Sequence, residues 1–315
     1  MRVMILGGGG TLGAFSAGAL GVLDDAGWSA DAMIGSSAGS INLLRAYAGG
    51  PRAAVDFWMS LHWAKLLWEG VKTPTLGILD ENRFHARVDE GVSFETMFHD
   101  TRCIGFLVVD LCTGEVKIRG NRTEANAEEL RQVAHASYSL PPLFPPVLLQ
   151  GQVLSDGGLL HNAPLDAAIE LGASEIVYLC NVHVVPSSGF PPTTRRAVTR
   201  YAEIFARRAS NVGFADAEIR EGAYRGARFL AITPPPTHRL GPMLGRMLPR
   251  KSSMEALIER GREMAEHALG QARWASHPET ADGEAPGKPW ETPRTAMARM
   301  TGAPVYRMRG TRSTA

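Results

Sequence analysis

The chain has 315 residues, enough for one large α/β domain or two small ones with a sizeable core. Lys and Arg number 33 against 32 Asp and Glu, a formal net charge of +1, so no global field recruits nucleic acid or other polyanions. Hydrophobic residues at 44% and charged residues at 21% are ordinary for a globular protein. No window approaches the ~18 consecutive apolar residues of a spanning helix. The N-terminal apolar run is four residues long and breaks into glycine, so no signal peptide is expected. Three cysteines, Cys103, Cys112 and Cys180, lack C-x-x-C spacing and read as buried free thiols of a reducing compartment. The expectation is a cytoplasmic protein, with peripheral contact at a membrane surface still open to it.

Strand and helix signals alternate along the chain. Residues 2–6 read as a strand, 13–27 as a helix and 31–35 as a second strand, with another helix from Ala38. Residues 102–110, "RCIGFLVVD", form the continuous apolar run of a fully buried strand, and "CTGE" turns the chain into a strand at 115–119. Residues 124–138 are helical in composition until "LPPLFPP" at 140–146 stops them. Short strands follow at 147–149 and 152–155. Asn162 caps a predicted helix with Pro164 in its first turn, and 175–182 is another buried strand. A long helical stretch, 195–225, and a strand, 227–232, lead to prolines at 234–236. Ser252 and Glu255 form a capping box for a helix running to about Trp274. From 275 the chain is rich in Pro, Gly, Thr and charge, and its last stretch holds Arg294, Arg299, Arg307, Arg309 and Arg312 without an acid. The expected organisation is one domain over 1–274 and an unstructured basic tail over 275–315.

Two motifs compete for the first strands. "LGGGGTLGAF" at 6–15 fits G-x-G-x-x-G through Gly8, Gly10 and Gly13, the form of a loop that cradles a dinucleotide's phosphates. Such a fold wants an acid at the end of its second strand for the ribose. Here that strand ends instead in Gly35-Ser36-Ser37-Ala38-Gly39, a G-x-S-x-G motif where a nucleophile elbow belongs. A serine nucleophile needs preorganised N–H donors for an oxyanion, and glycine-rich backbone after an adjacent strand supplies them.

Ser37 follows only two strands, too early for the usual Ser…Asp…His order of α/β-hydrolases. The nine histidines are scattered and none stands out as its partner. "VLSDGGLLHNAPL" offers a carboxylate instead: Asp156 follows a short strand and precedes two glycines, on a turn with room for close approach. "VDFWMSLHWAKLLWEGV" places Phe57, Trp58, Trp63 and Trp68 in an amphipathic stretch suited either to a lipid interface or to core packing.

The order "GGGGTLG", "GSSAG", "DGG" resembles the patatin-like phospholipase family, whose pattern runs from a glycine-rich oxyanion loop to G-x-S-x-G and then D-G-[GA]. The segment "ASYSLPPLFPPVLLQGQVLSDGGLLHNAPLDAAIELGA" is similar to the family's approach to its catalytic aspartate, and the likeness covers roughly residues 2–232. It implies a three-layer α/β/α fold with a mostly parallel central sheet. It also implies a lipid acyl hydrolase acting on phospholipids or related acyl lipids, with no metal or cofactor. Carried over, Ser37 is the nucleophile and Asp156 the general base and acid. The amides of Gly8, Gly9 and Gly10 form the oxyanion hole, and Gly13, Gly35, Gly39, Gly157 and Gly158 support the motifs. One position departs: Leu12 stands where the family usually has Arg or Lys. The rival readings are a non-catalytic lipid-binding relative and a dinucleotide-binding protein using the glycine loop.

Overall fold

A computed structural model describes residues 1–62, 77–182, 222–235 and 250–271. Four β-strands run parallel at its centre: β1 (Arg2–Leu6) lies between β2 (Ala32–Gly35) and β7 (Glu175–Leu179), and β9 (Ala227–Ile232) extends the sheet beyond β7. β3 (Cys103–Asp110) continues the parallel pairing beyond β2. The remaining strands are antiparallel additions: β4 (Val116–Gly120) on β3, β5 (Val147–Leu149) on β6 (Gln152–Asp156), β6 itself on β3, and β8 (Ala223–Tyr224) on β9. Every residue of β3 and β7 is buried, as parallel strands covered on both faces require.

Alternate strand residues feed two cores. Met4, Leu6, Phe106 and Val177 face one layer, made by α1 (Gly13–Asp25), α2 (Ala38–Ser60), α3 (Glu81–Val88), α4 (Phe94–Phe98), α5 (Ala127–Ala136) and α7 (Lys251–Gln271). Val3, Ile5, Leu107 and Ile176 face the opposite layer, where α6 (Leu165–Glu170) packs. The period-2 alternation of each strand thus builds the three layers α/β/α, as expected.

Several boundaries differ from the sequence reading, each for a local reason. The helix expected at 124–138 is α5, opened by Asn126, whose side chain accepts from Glu129 N. Asn162 caps no helix: α6 starts at Leu165, and the Asn162 side chain is used elsewhere. The strand expected to reach 182 ends at Leu179. Residues 223–224, assigned to a helix, form β8, turned back onto β9 through Arg225 and Gly226, both at positive φ. Residues 195–221 of that helix lie outside the described residues, as do Trp63, Trp68, Trp274 and the tail. α7 already begins at Lys251, ahead of the Ser252 box. Cys103 and Cys180 are buried free thiols, but Cys112 is exposed, because it sits in the turn between β3 and β4.

Two features of the helical layer bear on the site. α2 is bent at Gly49 and Gly50, with Gly50 at φ 73° and Pro51 opening the second segment where a missing N–H costs nothing. α1 and α7 cross backbone to backbone: a Cβ on Gly18 would overlap the Ile258 carbonyl, and one on Gly261 would overlap the Phe15 carbonyl. Gly261→Leu should therefore lower stability by about 1–3 kcal/mol, read as a fall of several degrees in melting temperature, whereas Gly270→Leu, in open space, should not.

Candidate active site

One edge of β3 decides where the site forms. β4 pairs with Gly105–Val109 on the other edge, so β2 (at Cys103–Phe106) and β6 (at Val108–Asp110) must share this one. β2 runs parallel to β3 and β6 antiparallel, so the two meet C-terminus to C-terminus. Gly35 ends opposite Phe106 and Asp156 ends opposite Val108, two residues or about 7 Å apart along β3. Strand ends 121 positions apart in sequence are brought together by a shared template strand.

At the end of β2 the chain turns sharply. Ser37 has φ 54° and ψ −124°, a region costly for a residue with a Cβ, and it is half-buried. Its N–H donates to Ser137 O at 2.9 Å, and its carbonyl accepts from Ser40 N at 2.9 Å as α2 begins. The motif glycines are required by contact. A Cβ on Gly35 would press on Ser40 Cα at 2.7 Å, and one on Gly39 would overlap the Leu6 carbonyl at the end of β1. The elbow is a strained turn held down by its neighbours.

Asp156 is 2% exposed. Burial pushes its carboxyl up to about 6, opposed by the facing Ser37 hydroxyl and by the Gly158 N–H. That N–H donates to Asp156 Oδ1 at 2.8 Å, and Asp156 N donates to Ser139 O at 3.1 Å. Gly157 lies against the β3 backbone, where its Cβ would stand 2.9 Å from Val108 C. The carboxyl is thus desolvated with the Ser37 hydroxyl acting on it, and desolvation makes a base stronger than an exposed aspartate.

The glycine loop wraps the same point. A Cβ on Gly8 would stand 2.7 Å from Ser37 Cβ, and one on Gly13 would stand 2.8 Å from Ala38 Cβ. Gly9 (φ 157°) and Gly10 (φ 58°) adopt backbone that favours glycine, and no acceptor takes their N–H groups among the described residues. The Gly8 N–H is different: it donates to Asn162 Oδ1 at 2.5 Å, while Asn162 Nδ2 donates back to Gly8 O. Of the three expected donors, two are open and one is committed. Leu12, half-buried, carries no charge to this rim.

Four positioning residues escaped the sequence reading. Asn162 clamps Gly8 from both sides, and Asn181 Nδ2 donates to Gly7 O at 2.7 Å while its Oδ1 accepts from Ser16 N at 3.2 Å. Ser137 and Ser139 flank a single residue and offer their carbonyls to Ser37 N and Asp156 N respectively. Ser137 Oγ donates to Leu107 O at 2.7 Å and Ser155 Oγ to Ser139 O at 2.6 Å, fixing the bridge to the sheet. The signal for all four was polar residues in apolar surroundings, visible only once burial is known. Phe57 and Trp58 resolve towards packing: both are buried, and Trp58 Nε1 donates to Asn42 Oδ1, whose Nδ2 holds Gly13 O. Neither Ser37 nor Asp156 hydrogen-bonds a histidine among the described residues. His135 is bound to Asp89 at 2.9 Å and stacked on His85.

A three-layer α/β/α fold with a serine on a strained strand–helix turn, beside a buried aspartate, defines the class of protein. Residues 4–169 match the model of the patatin-like phospholipase family, and the chain belongs to that family. It is 28% identical over 191 residues to patatin-like phospholipase domain-containing protein ZK370.4 of Caenorhabditis elegans, a match covering 57% of this chain and 13% of that protein. Among solved structures it resembles VipD from Legionella pneumophila, with a TM-score of 0.50 and 13% identity over 85% of this chain and 66% of that one. The type III effector ExoU gives a TM-score of 0.39 at 13% identity over 86% of this chain and 53% of that one. The chain thus spans less than two thirds of the length of each of these relatives.

The raised Asp156 pKa has a thermodynamic signature. The native state holds this proton more tightly than the unfolded chain, so the group's favourable contribution is complete below about pH 4 and is lost as pH rises through about 6. Asp156→Asn keeps an acceptor for Gly158 N and is neutral at every pH. It should be more stable than wild type by about 1–3 kcal/mol at pH 8 and nearly equal at pH 4, measured by thermal melts at the two pH values.

Proposed function

We propose that this chain is a serine acyl hydrolase cleaving ester bonds of phospholipids or related acyl lipids through a Ser37–Asp156 dyad. The observation that carries the reading is the half-exposed Ser37 facing a buried Asp156 whose pKa is pushed up to about 6. In the acylation step Asp156 takes the Ser37 proton as Oγ attacks the ester carbonyl, then returns it to the leaving alkoxide as the C–O bond breaks. In the second step water gives its proton to Asp156 and attacks the acyl carbon. Collapse frees the fatty acid, and Ser37 Oγ recovers the proton. The N–H groups of Gly9 and Gly10, without acceptors among the described residues, are the oxyanion donors in this reading, with Ala38 N as a further candidate.

No helix among the described residues is long and apolar enough to cross a membrane. We take the lipid to be met at a membrane surface from the cytoplasm, by a catalytic domain over 1–274, with 275–315 as a basic tail.

Ser37→Ala should abolish both hydrolysis of a mixed lipid extract, followed by mass spectrometry of released acids and lysolipids, and labelling by a fluorophosphonate probe. A folded Ser37→Ala protein that still releases fatty acid refutes the dyad. Because the base must be ionised, wild-type hydrolysis of a soluble ester should rise with pH through about 6 and then level off. An acid limb set by a histidine would instead vanish when that histidine is replaced.

A further inference from the structure

Ser36, beside the nucleophile, has no place in the dyad and yet carries a polar group that nothing satisfies. Its residue is 1% exposed, and its Oγ has no hydrogen-bond partner among the described residues. A buried hydroxyl without a partner is costly, so any rotamer that gives it one is favoured. Its backbone cannot move to find one, because Ser36 N donates to Leu6 O and Ser36 O accepts from Gly39 N. Rotation about χ1 is the freedom that remains.

The surroundings name the partner. A Cβ on Gly158 would overlap Ser36 Oγ, and the same point lies 3.1 Å from Asp156 Oδ1 and 3.2 Å from Asn162 Oδ1. Ser36 Oγ therefore lies within about 5 Å of the Asp156 carboxylate, one rotamer step from hydrogen-bond distance. Asn162 Oδ1 is already occupied by Gly8 N–H, whereas Asp156 is due to lose a donor during turnover. Once Ser37 Oγ is esterified it has no proton to offer. Of the donors the protein supplies, the buried carboxylate then keeps the Gly158 N–H alone, just when it must be ionised to deprotonate water.

We propose that Ser36 is a positioning residue that takes over Ser37's hydrogen bond to Asp156 in the acyl-enzyme, keeping the base ionised for deacylation. This rests on the Ser37–Asp156 reading given above. Among the described residues no other charged group bears on Asp156: burial, Ser37 and the Gly158 N–H account for its titration. Ser36 is silent in acylation, when Ser37 itself holds the carboxylate, and active in deacylation. The missing side chain of Gly158 leaves room for the rotation.

The test separates the two half-reactions in Ser36→Ala. Acylation is read as the rate of fluorophosphonate labelling against pH. Deacylation is read as the decay of the acyl-enzyme formed from a p-nitrophenyl ester at pH 5, followed by intact mass after a jump to higher pH. The labelling profile should match wild type, while the acid limb of deacylation should move up by about one pH unit, slowing decay about fivefold at pH 6. Ser36→Thr, which keeps the hydroxyl, should restore the wild-type profile. Equal shifts in both half-reactions, no shift in either, or a folded Thr variant behaving like Ala overturns the proposal. So does a Ser36→Ala protein that fails to fold, since removing an unsatisfied hydroxyl cannot cost stability. If wild-type protein is not labelled at Ser37 at all, it is the dyad reading that falls.

Discussion

The site depends on the double use of one edge of β3. Parallel β2 and antiparallel β6 occupy successive halves of that edge and run towards each other. A fully buried strand is a rigid ruler, so the separation of the two strand ends is set by backbone register and not by side-chain packing. Slipping either strand by one residue would also exchange its faces, moving Leu154 or Ile34 out of the core, and that cost locks the register. The geometry of the candidate dyad is therefore a by-product of sheet pairing. The helices and loops only refine it.

Refinement falls to short polar groups that would be costly if unpaired. The carbonyls of Ser137 and Ser139 receive the amides of Ser37 and Asp156, so one tripeptide spans both ends of the pair. Asn162 ties the loop that follows Asp156 to the glycine loop that follows β1. Because these groups are buried, each missing bond costs a desolvated donor or acceptor, which makes the arrangement specific. The motif glycines contribute by absence. Gly35, Gly39 and Gly157 lie where backbone approaches backbone, and only Gly9 and Gly10 of the loop need unusual dihedrals.

Much of this was legible in the sequence, for identifiable reasons. The strands around β1, β3 and β7 announced themselves as short apolar runs bounded by turns. Ser37 and Asp156 stood out through the order of three motifs, the glycine loop, G-x-S-x-G and D-G-G, since neither of the last two is specific alone. What stayed hidden is tertiary. Asn162 reads as a helix cap, since Asn before Pro carries that local signal, and only the fold places it against Gly8. The commitment of the Gly8 N–H follows from the same contact and separates it from Gly9 and Gly10. Phe57 and Trp58 look equally suited to lipid and to core until their burial is seen. β8 was lost within a helical stretch because a two-residue strand has no periodicity to detect.

The glycine crossing of α1 with α7 ties the beginning of the chain to its far end. α1 grows directly out of the glycine loop, and β1 beneath it pairs on one side with β7. In sequence the complements of β1 and α1 lie far off: β7 begins about 150 residues after α1 ends, and α7 more than 220. The candidate site thus has its loop and elbow close together in the N-terminal stretch of sequence but its enclosure supplied from far along it, by β7 and α7.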